Sequence, residues 1–265
     1  MKDITVAAYQ MDILFARKEE NLKKIKDTIQ LNHRSEIDLW ILPELFSTGF
    51  AYSHFSGLAE DLNDSYTLKF LGKLAQEFNT NIAGSFLVKD KKTNAFRNLG
   101  FILTPAKELV YQYYKIHLWG QEKNHFTPGT DVSEPINLNN KAMIGMSICY
   151  DMRFPEVARQ LVLNGAEVLI TIAAWPSARI HHFNLLAAAR ALENTSYHIA
   201  LNRLGSDLEP TLVKYSGSSR IIDPLGNIIA GAGNFEEVMI ARLKSDVLEN
   251  TRKIIPVLKD RKINF

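Results

Sequence analysis

A single cysteine, Cys149, stands in the whole chain of 265 residues. One thiol cannot form an intramolecular disulfide, so a reducing, cytoplasmic setting is expected. Long apolar runs are missing too: no segment approaches the ~20 consecutive apolar residues of a membrane span. Met1-Lys2-Asp3-Ile4 leads straight into a strand-like segment, so no signal peptide is expected. Neither sign of charge is in excess, with 31 Lys and Arg against 29 Asp and Glu and a formal net charge of +2. Without a basic block or stripe, nucleic acid and membrane are not expected partners. Lys23, Lys24 and Lys26 fall in a helical pattern and read as a solvated face.

Catalytic signatures are missing as well. The seven histidines show no His-Glu-x-x-His spacing. His181 and His182 are neighbours on a helical segment, about 100° apart, and cannot share a face. No metal and no cofactor is therefore expected. A Gly-rich phosphate loop and the Gly-x-Ser-x-Gly elbow are absent. So are the papain-like and caspase-like cysteine signatures. A Cys/His pair with His117 or His125 as base stays open at this point.

What is present is a globular composition, 46% apolar and 23% charged. A chain of this length buries roughly three-quarters of its surface. No repeat, low-complexity tract or linker interrupts it, so residues 1–265 are expected to form one domain. Strand patterns occur at Ile4–Gln10, Asp38–Leu42, Asn81–Val88, Phe101–Leu103 and Leu109–Tyr114, and again at Lys141–Ile148, Glu167–Ile172, Tyr197–Leu201 and Glu237–Leu243. Helical spacing occurs at Lys18–Leu31, Ser65–Phe78 and Arg179–Asn194. A further helix starts at Pro155 and stops at Gly165. Ser218–Asp223 and Asn227–Ala230 flank a Pro-Leu-Gly turn and read as a hairpin. The tail from Ser245 reads as a short helix and an extended arm. Alternating strands and helices predict an α/β fold with mixed sheets, compatible with an α-β-β-α sandwich.

Three chemically distinct residues follow apolar strands. Glu44 comes after Ile41-Leu42-Pro43, Lys115 after Tyr113-Tyr114, and Cys149 after Ser147-Ile148. Ligands of open α/β sheets bind at the carboxyl ends of strands, so these three can meet at one rim. Singly, each has an ordinary reading: a small buried thiol, a capping carboxylate, a snorkelling amine. Together they supply a base for a thiol, a cation for an oxyanion and a nucleophile. Burial would raise the glutamate pKa and a nearby ammonium would lower it, so such groups titrate as a unit.

The segment Cys149-Tyr150-Asp151-Met152-Arg153-Phe154-Pro155-Glu156 resembles the nucleophile segment of the nitrilase superfamily of carbon–nitrogen hydrolases. Pro43-Glu44 is similar to that family's base segment, and Tyr114-Lys115-Ile116-His117-Leu118 to its lysine segment. Glu122, followed by Phe126-Thr127-Pro128-Gly129, is similar to its second glutamate. The order Glu, Lys, Glu, Cys is the family's own, and the resemblance runs from Ile4 to the last strand. It implies an α-β-β-α sandwich that forms a homodimer, and an amidase chemistry on a small-molecule amide through a thioester. Glu44 would be base, Lys115 oxyanion stabiliser, Cys149 nucleophile and Glu122 a supporting or proton-transferring group. The backbone N–H of Tyr150 would join the oxyanion site.

The second half most resembles the ω-amidases, at Trp175-Pro176, Ala187–Asn194, Asn202–Asp207 and Ser216–Pro224. Ala174 departs from the Asn that some relatives carry before Trp-Pro, which puts the preferred amide in doubt. A nitrilase or an N-carbamoyl amide hydrolase would use the same triad. A catalytically inactive interaction protein would have lost one of its members. Tyr9, Phe46, Tyr52 and Trp175 are expected to line the pocket. Arg153, Arg179 and Arg203 are candidates to meet a substrate carboxylate. Arg153 is alternatively expected to pair with Asp151 and shape the turn.

Overall fold

The computed structural model describes residues 1–209 and 211–263. In chain order the strands are β1 (Ile4–Gln10), β2 (Leu39–Ile41), β3 (Asn81–Lys89), β4 (Phe96–Leu103), β5 (Leu109–Tyr114), β6 (Ile136–Leu138) and β7 (Ala142–Ile148). They continue as β8 (Val168–Ala173), β9 (Tyr197–Asn202), β10 (Leu204–Asp207), β11 (Val213–Ser216), β12 (Arg220–Ile222), β13 (Ile228–Gly231) and β14 (Glu237–Leu243). The helices are α1 (Lys18–Asn32), α2 (Phe55–Leu58), α3 (Tyr66–Glu77), α4 (Glu122–His125), α5 (Pro155–Leu163), α6 (Ile180–Asn194), α7 (Ser245–Ile254) and α8 (Val257–Asp260).

Two six-stranded sheets form, in the orders β14-β1-β2-β3-β4-β5 and β13-β12-β9-β8-β7-β6. Both are mixed. In the first, β1, β2 and β3 run parallel and the outer strands antiparallel. In the second, β7, β8 and β9 run parallel between antiparallel neighbours.

Period-two alternation sorts side chains into layers. Val6 and Ala8 of β1 point between the sheets, into a core shared with Ile144, Met146 and Ile148 of β7 and Val168, Ile170 and Ile172 of β8. Ala7 and Tyr9 point the other way, onto Leu22, Ile25 and Ile29 of α1 and Leu71, Leu74 and Ala75 of α3. Leu169 lies opposite Ile170 on β8 and packs under Val157, Leu161 and Val162 of α5. The result is the expected α-β-β-α sandwich. Because the inner strands are covered on both faces, they read as nearly unbroken apolar runs rather than alternating ones.

Local chemistry fixes the helix ends. The Ser65 hydroxyl accepts the Leu68 N–H and caps α3. Pro155 opens α5 in the first turn, and Gly165 follows its end at φ 103°. The structure departs from the sequence reading at short or polar elements. β4 starts at Phe96 rather than Phe101, β6 and the β10–β11 hairpin were not expected, and a second short helix, α8, follows the expected helix α7 where an extended arm was expected.

Gly145 of β7 marks a close approach of α5 to the sheet. A Cβ there would lie 2.8 Å from Leu161 Cδ2 and 3.2 Å from Leu161 Cβ. Gly145→Ala is therefore expected to push α5 outward and destabilise the fold by about 1–3 kcal/mol. Urea unfolding checks this, and an unchanged midpoint would contradict the close packing.

Candidate active site

Glu44, Lys115 and Cys149 all follow the carboxyl ends of strands: β2, β5 and β7. The rim is shared because β2 and β3 are parallel, and β4 turns back so that β5 again points the same way. The parallel β7–β8 pair supplies the opposite wall.

Lys115 is the centre of the arrangement. Its ammonium is buried and donates at 2.8 Å to Glu44 Oε1 and at 2.8 Å to Glu122 Oε1. An ammonium has three N–H bonds. With two carboxylates as partners, one N–H remains for a third acceptor. Burial opposes the charge on Lys115, but the fields of Glu122 and Glu44 outweigh it and hold the ammonium well above its ordinary pKa.

Glu44 is held from three sides. Oε1 also accepts the Asn98 amide at 2.8 Å, and Oε2 accepts the Ala174 N–H at 2.8 Å. Asn98 comes from β4 and Ala174 from the residue after β8, so both sheets position one carboxylate. For Glu122, burial dominates and the Glu44 charge adds to it against the pull of Lys115, so its pKa rises to about 7.

Cys149 opens a 3-10 turn, Cys149–Arg153, immediately after β7. Its φ of 50° lies in the left-handed region, a strained conformation for a residue with a Cβ. The strain sets the thiol at the tip of a sharp turn. It also leaves the Tyr150 N–H in the first turn, where an amide has no partner within the segment. Burial and the Glu44 charge push the Cys149 pKa well up, while Lys115 and the Ala174 N–H act the other way. The resting sulfur is accordingly a thiol.

Asp151 braces this turn. Fully buried, it accepts from Tyr113 Oη at 2.7 Å, the Ile148 N–H at 3.0 Å and the His117 N–H at 2.9 Å. His117 Nδ1 lies 2.8 Å from the same carboxylate. The expected Asp151–Arg153 pair does not form. Arg153 instead lies 4.8 Å over the Trp175 ring, with Nη2 3.0 Å from His182 Nδ1.

Cys149 and Glu122 open into a cavity of about 370 Å³. Tyr150, Arg153, Trp175, Tyr52 and Arg179 line it. Tyr9 and Phe46 do not: they belong to the core between the first sheet, α1 and α3. Arg203 is buried and pairs with Asp207 at 2.8 Å. His117 stacks on Phe154 and His125 on Tyr52. Neither lines the cavity. Among the described residues, no group of three His, Cys, Asp or Glu is arranged to hold a metal ion.

Residues 5–253 match the carbon-nitrogen hydrolase family. The chain belongs to this family. It is 30% identical, over 98% of each chain, to the Staphylococcus aureus protein named hydrolase in agr operon. It is 31% identical to 2-oxoglutaramate amidase of Bacillus subtilis, over 97% of this chain and 96% of that one. The solved structure of Saccharomyces cerevisiae Nit3, a member of branch 10 of the nitrilase superfamily, is similar with a TM-score of 0.89 at 29% identity, covering 99% of this chain and 97% of Nit3.

Within this carbon–nitrogen hydrolase, the sequence reading missed three positioning groups. Asn98 and the Ala174 N–H hold Glu44. Asn202 accepts the Trp175 N–H at 2.6 Å and donates to Trp175 O at 3.2 Å, fixing the pocket wall. The Ala174 bond is made by the backbone, so it does not depend on which side chain stands before Trp175.

The raised Glu122 pKa has a measurable consequence for stability. The folded state holds this proton more tightly than the unfolded chain, whose ordinary value is 4.5. The resulting stabilisation is complete below that value and is lost as pH rises through about 7. Glu122→Gln cannot titrate. In urea titrations at about pH 4.5 and 7.5, its stability relative to wild type should improve at the higher pH by the order of 3 kcal/mol. Parallel pH profiles for the two proteins would show that Glu122 ionises normally.

Proposed function

We propose that this chain is an ω-amidase-type amidase. It releases ammonia from a small amide whose other end carries a carboxylate, through a thioester on Cys149. The observation that carries this reading is the buried Glu44–Lys115–Glu122 cluster beside Cys149, which shares its cavity with Arg153. The resemblance to a 2-oxoglutaramate amidase supports the substrate class.

As the Cys149 sulfur attacks the amide carbon, Glu44 takes the thiol proton. The carbonyl oxygen gains the negative charge and accepts the remaining Lys115 N–H and the Tyr150 N–H. Such a donor typically contributes about 2.7–4 kcal/mol to the transition state. On collapse the C–N bond breaks, Glu44 hands its proton to the departing nitrogen, and ammonia leaves. Water then attacks the thioester, giving its proton to Glu44; the C–S bond breaks, the product acid leaves, and Glu44 returns the proton to the Cys149 sulfur. Glu122 orients Lys115. Arg153, held over the Trp175 ring, takes the distal carboxylate.

Cys149→Ala should fold and be inert, and intact-protein mass of wild type after rapid quenching should show an acyl adduct on Cys149. 2-Oxoglutaramate or succinamate should exceed a neutral aliphatic amide, an N-carbamoyl amino acid and a nitrile in kcat/KM. A higher kcat/KM for the neutral amide or the nitrile would overturn the ω-amidase reading. Turnover by Cys149→Ala would overturn the mechanism.

The same reading takes residues 1–265 as one cytoplasmic catalytic domain that acts as a homodimer. Leu185 and Leu192 of α6 are exposed, and so are Leu225, Ile228 and Ile229 of the β12–β13 hairpin. The hairpin turn reaches α6, because a Cβ on Gly226 would lie 3.7 Å from Leu192. A continuous apolar face of this kind is suited to a two-fold contact. Light scattering should give twice the 30.0 kDa chain mass at micromolar concentration, and Leu192→Glu should shift it toward the monomer. A wild-type monomer would contradict the assignment.

A further inference from the structure

The charged groups lining the cavity fall into two unequal sets. Every carboxylate in the lining is engaged. Glu122 holds Lys115, Asp207 holds Arg203 at 2.8 Å and Tyr215 Oη at 2.9 Å, and Glu209 accepts from the Ser53 N–H and hydroxyl. The two lining arginines have no acidic partner among the described residues. Arg153 lies on Trp175. Arg179 lies 4.8 Å over the ring of Trp119, and its guanidinium makes no hydrogen bond among the described residues.

The two arginine–tryptophan pairs are joined. The Trp175 Nε1–H donates to Arg179 O at 2.9 Å, so the ring that supports Arg153 also pins the backbone of Arg179. Trp119 is 41% exposed at the edge of the cavity. An open indole with an unpaired guanidinium over its face is a preorganised anion site, because the cation–π contact holds the donor fork in place for a carboxylate. One arginine suffices for the single carboxylate of a simple ω-amide. The cavity, at about 370 Å³, exceeds what a five-carbon amide fills.

We propose that Arg179 on Trp119 forms an outer anion subsite, and that the acyl group of the substrate carries a second carboxylate beyond the one taken by Arg153. This deepens the amidase reading, since it rests on Arg153 taking the first carboxylate. Its test is a binding measurement that needs no turnover.

Adipamate and the monoamide of butane-1,2,4-tricarboxylate amidated at its isolated carboxyl differ by one carboxylate. Calorimetric titration into Cys149→Ala protein at low ionic strength should give about tenfold tighter binding of the tricarboxylate amide. Adding Arg179→Gln should remove most of that preference, weakening the tricarboxylate amide about tenfold and adipamate less than threefold. Trp119→Leu should reduce the preference by freeing the guanidinium, and Arg179→Lys should restore only part of it. Equal affinity for the two amides, or a preference that survives Arg179→Gln, would overturn the outer subsite. Wild-type turnover of adipamate, read separately as ammonia release, tests the amidase reading and can fail without affecting the binding result.

Discussion

The buried ammonium of Lys115, held between Glu44 and Glu122, sets the terms for the rest of the site. Removing one such ion from water costs several kcal/mol, and partners recover that only in good geometry. Each partner brings a demand of its own. Glu44 requires the Asn98 amide and the Ala174 N–H; Glu122 requires the turn at Trp119, whose N–H approaches it at 3.4 Å. These groups arrive from β4, from the end of β8 and from the segment before α4. The cluster therefore exists only when both sheets are in register, and the fold and the site stand or fall together. One cation between two carboxylates also leaves the cluster short of positive charge. Ionising the thiol as well would add a second uncompensated negative charge, which is why Cys149 keeps its proton at rest.

A second constraint is geometric. Cys149 sits at positive φ, and such strain persists only where the surroundings over-determine it. Asp151 does this by accepting from β5, from His117 two residues after Lys115 and from the last residue of β7 at once. The brace links the end of β5, which carries Lys115, to the Cys149 turn, so the two strand ends cannot drift apart independently. Gly100 of β4 lets the sheets meet closely here, since a Cβ would lie 3.0 Å from Met146 Sδ and 3.3 Å from Ile148 Cδ1.

How much of this was legible follows from how each feature is encoded. Strands buried on both faces are apolar throughout, so they and the reactive residues at their ends stand out by local composition. Features set by long-range pairing do not. The Glu44–Ala174 bond spans 130 positions and uses a backbone amide that any residue provides. Asn98 looks like any polar residue in a strand until β3 and β4 pair. Tyr9 and Phe46 were misplaced for a related reason: which way an aromatic faces depends on layer order, and both face α1 and α3. Arg203 is a cation near the site by sequence, yet Asp207 pairs with it across the start of a hairpin that polar composition concealed. Arg153 and Asp151 are two apart on a tight turn, and each finds a better partner elsewhere.

Charge is distributed along the cavity with a direction. Glu122 stands in its wall beside Cys149, with Lys115 and Glu44 buried behind, and the two arginines without acidic partners among the described residues line the rest of it. On the proposed reaction this polarity does two things. A substrate with a neutral amide at one end and a carboxylate at the other is attracted in one orientation only, because a carboxylate placed beside Glu44 meets like charge. Hydrolysis then creates a carboxylate at that same place. Substrate and product differ by one charge at the end where the field is negative, so the site binds the amide better than the acid it makes. The repulsion that orients entry thus also favours release, and both trace back to one lysine shared by two glutamates.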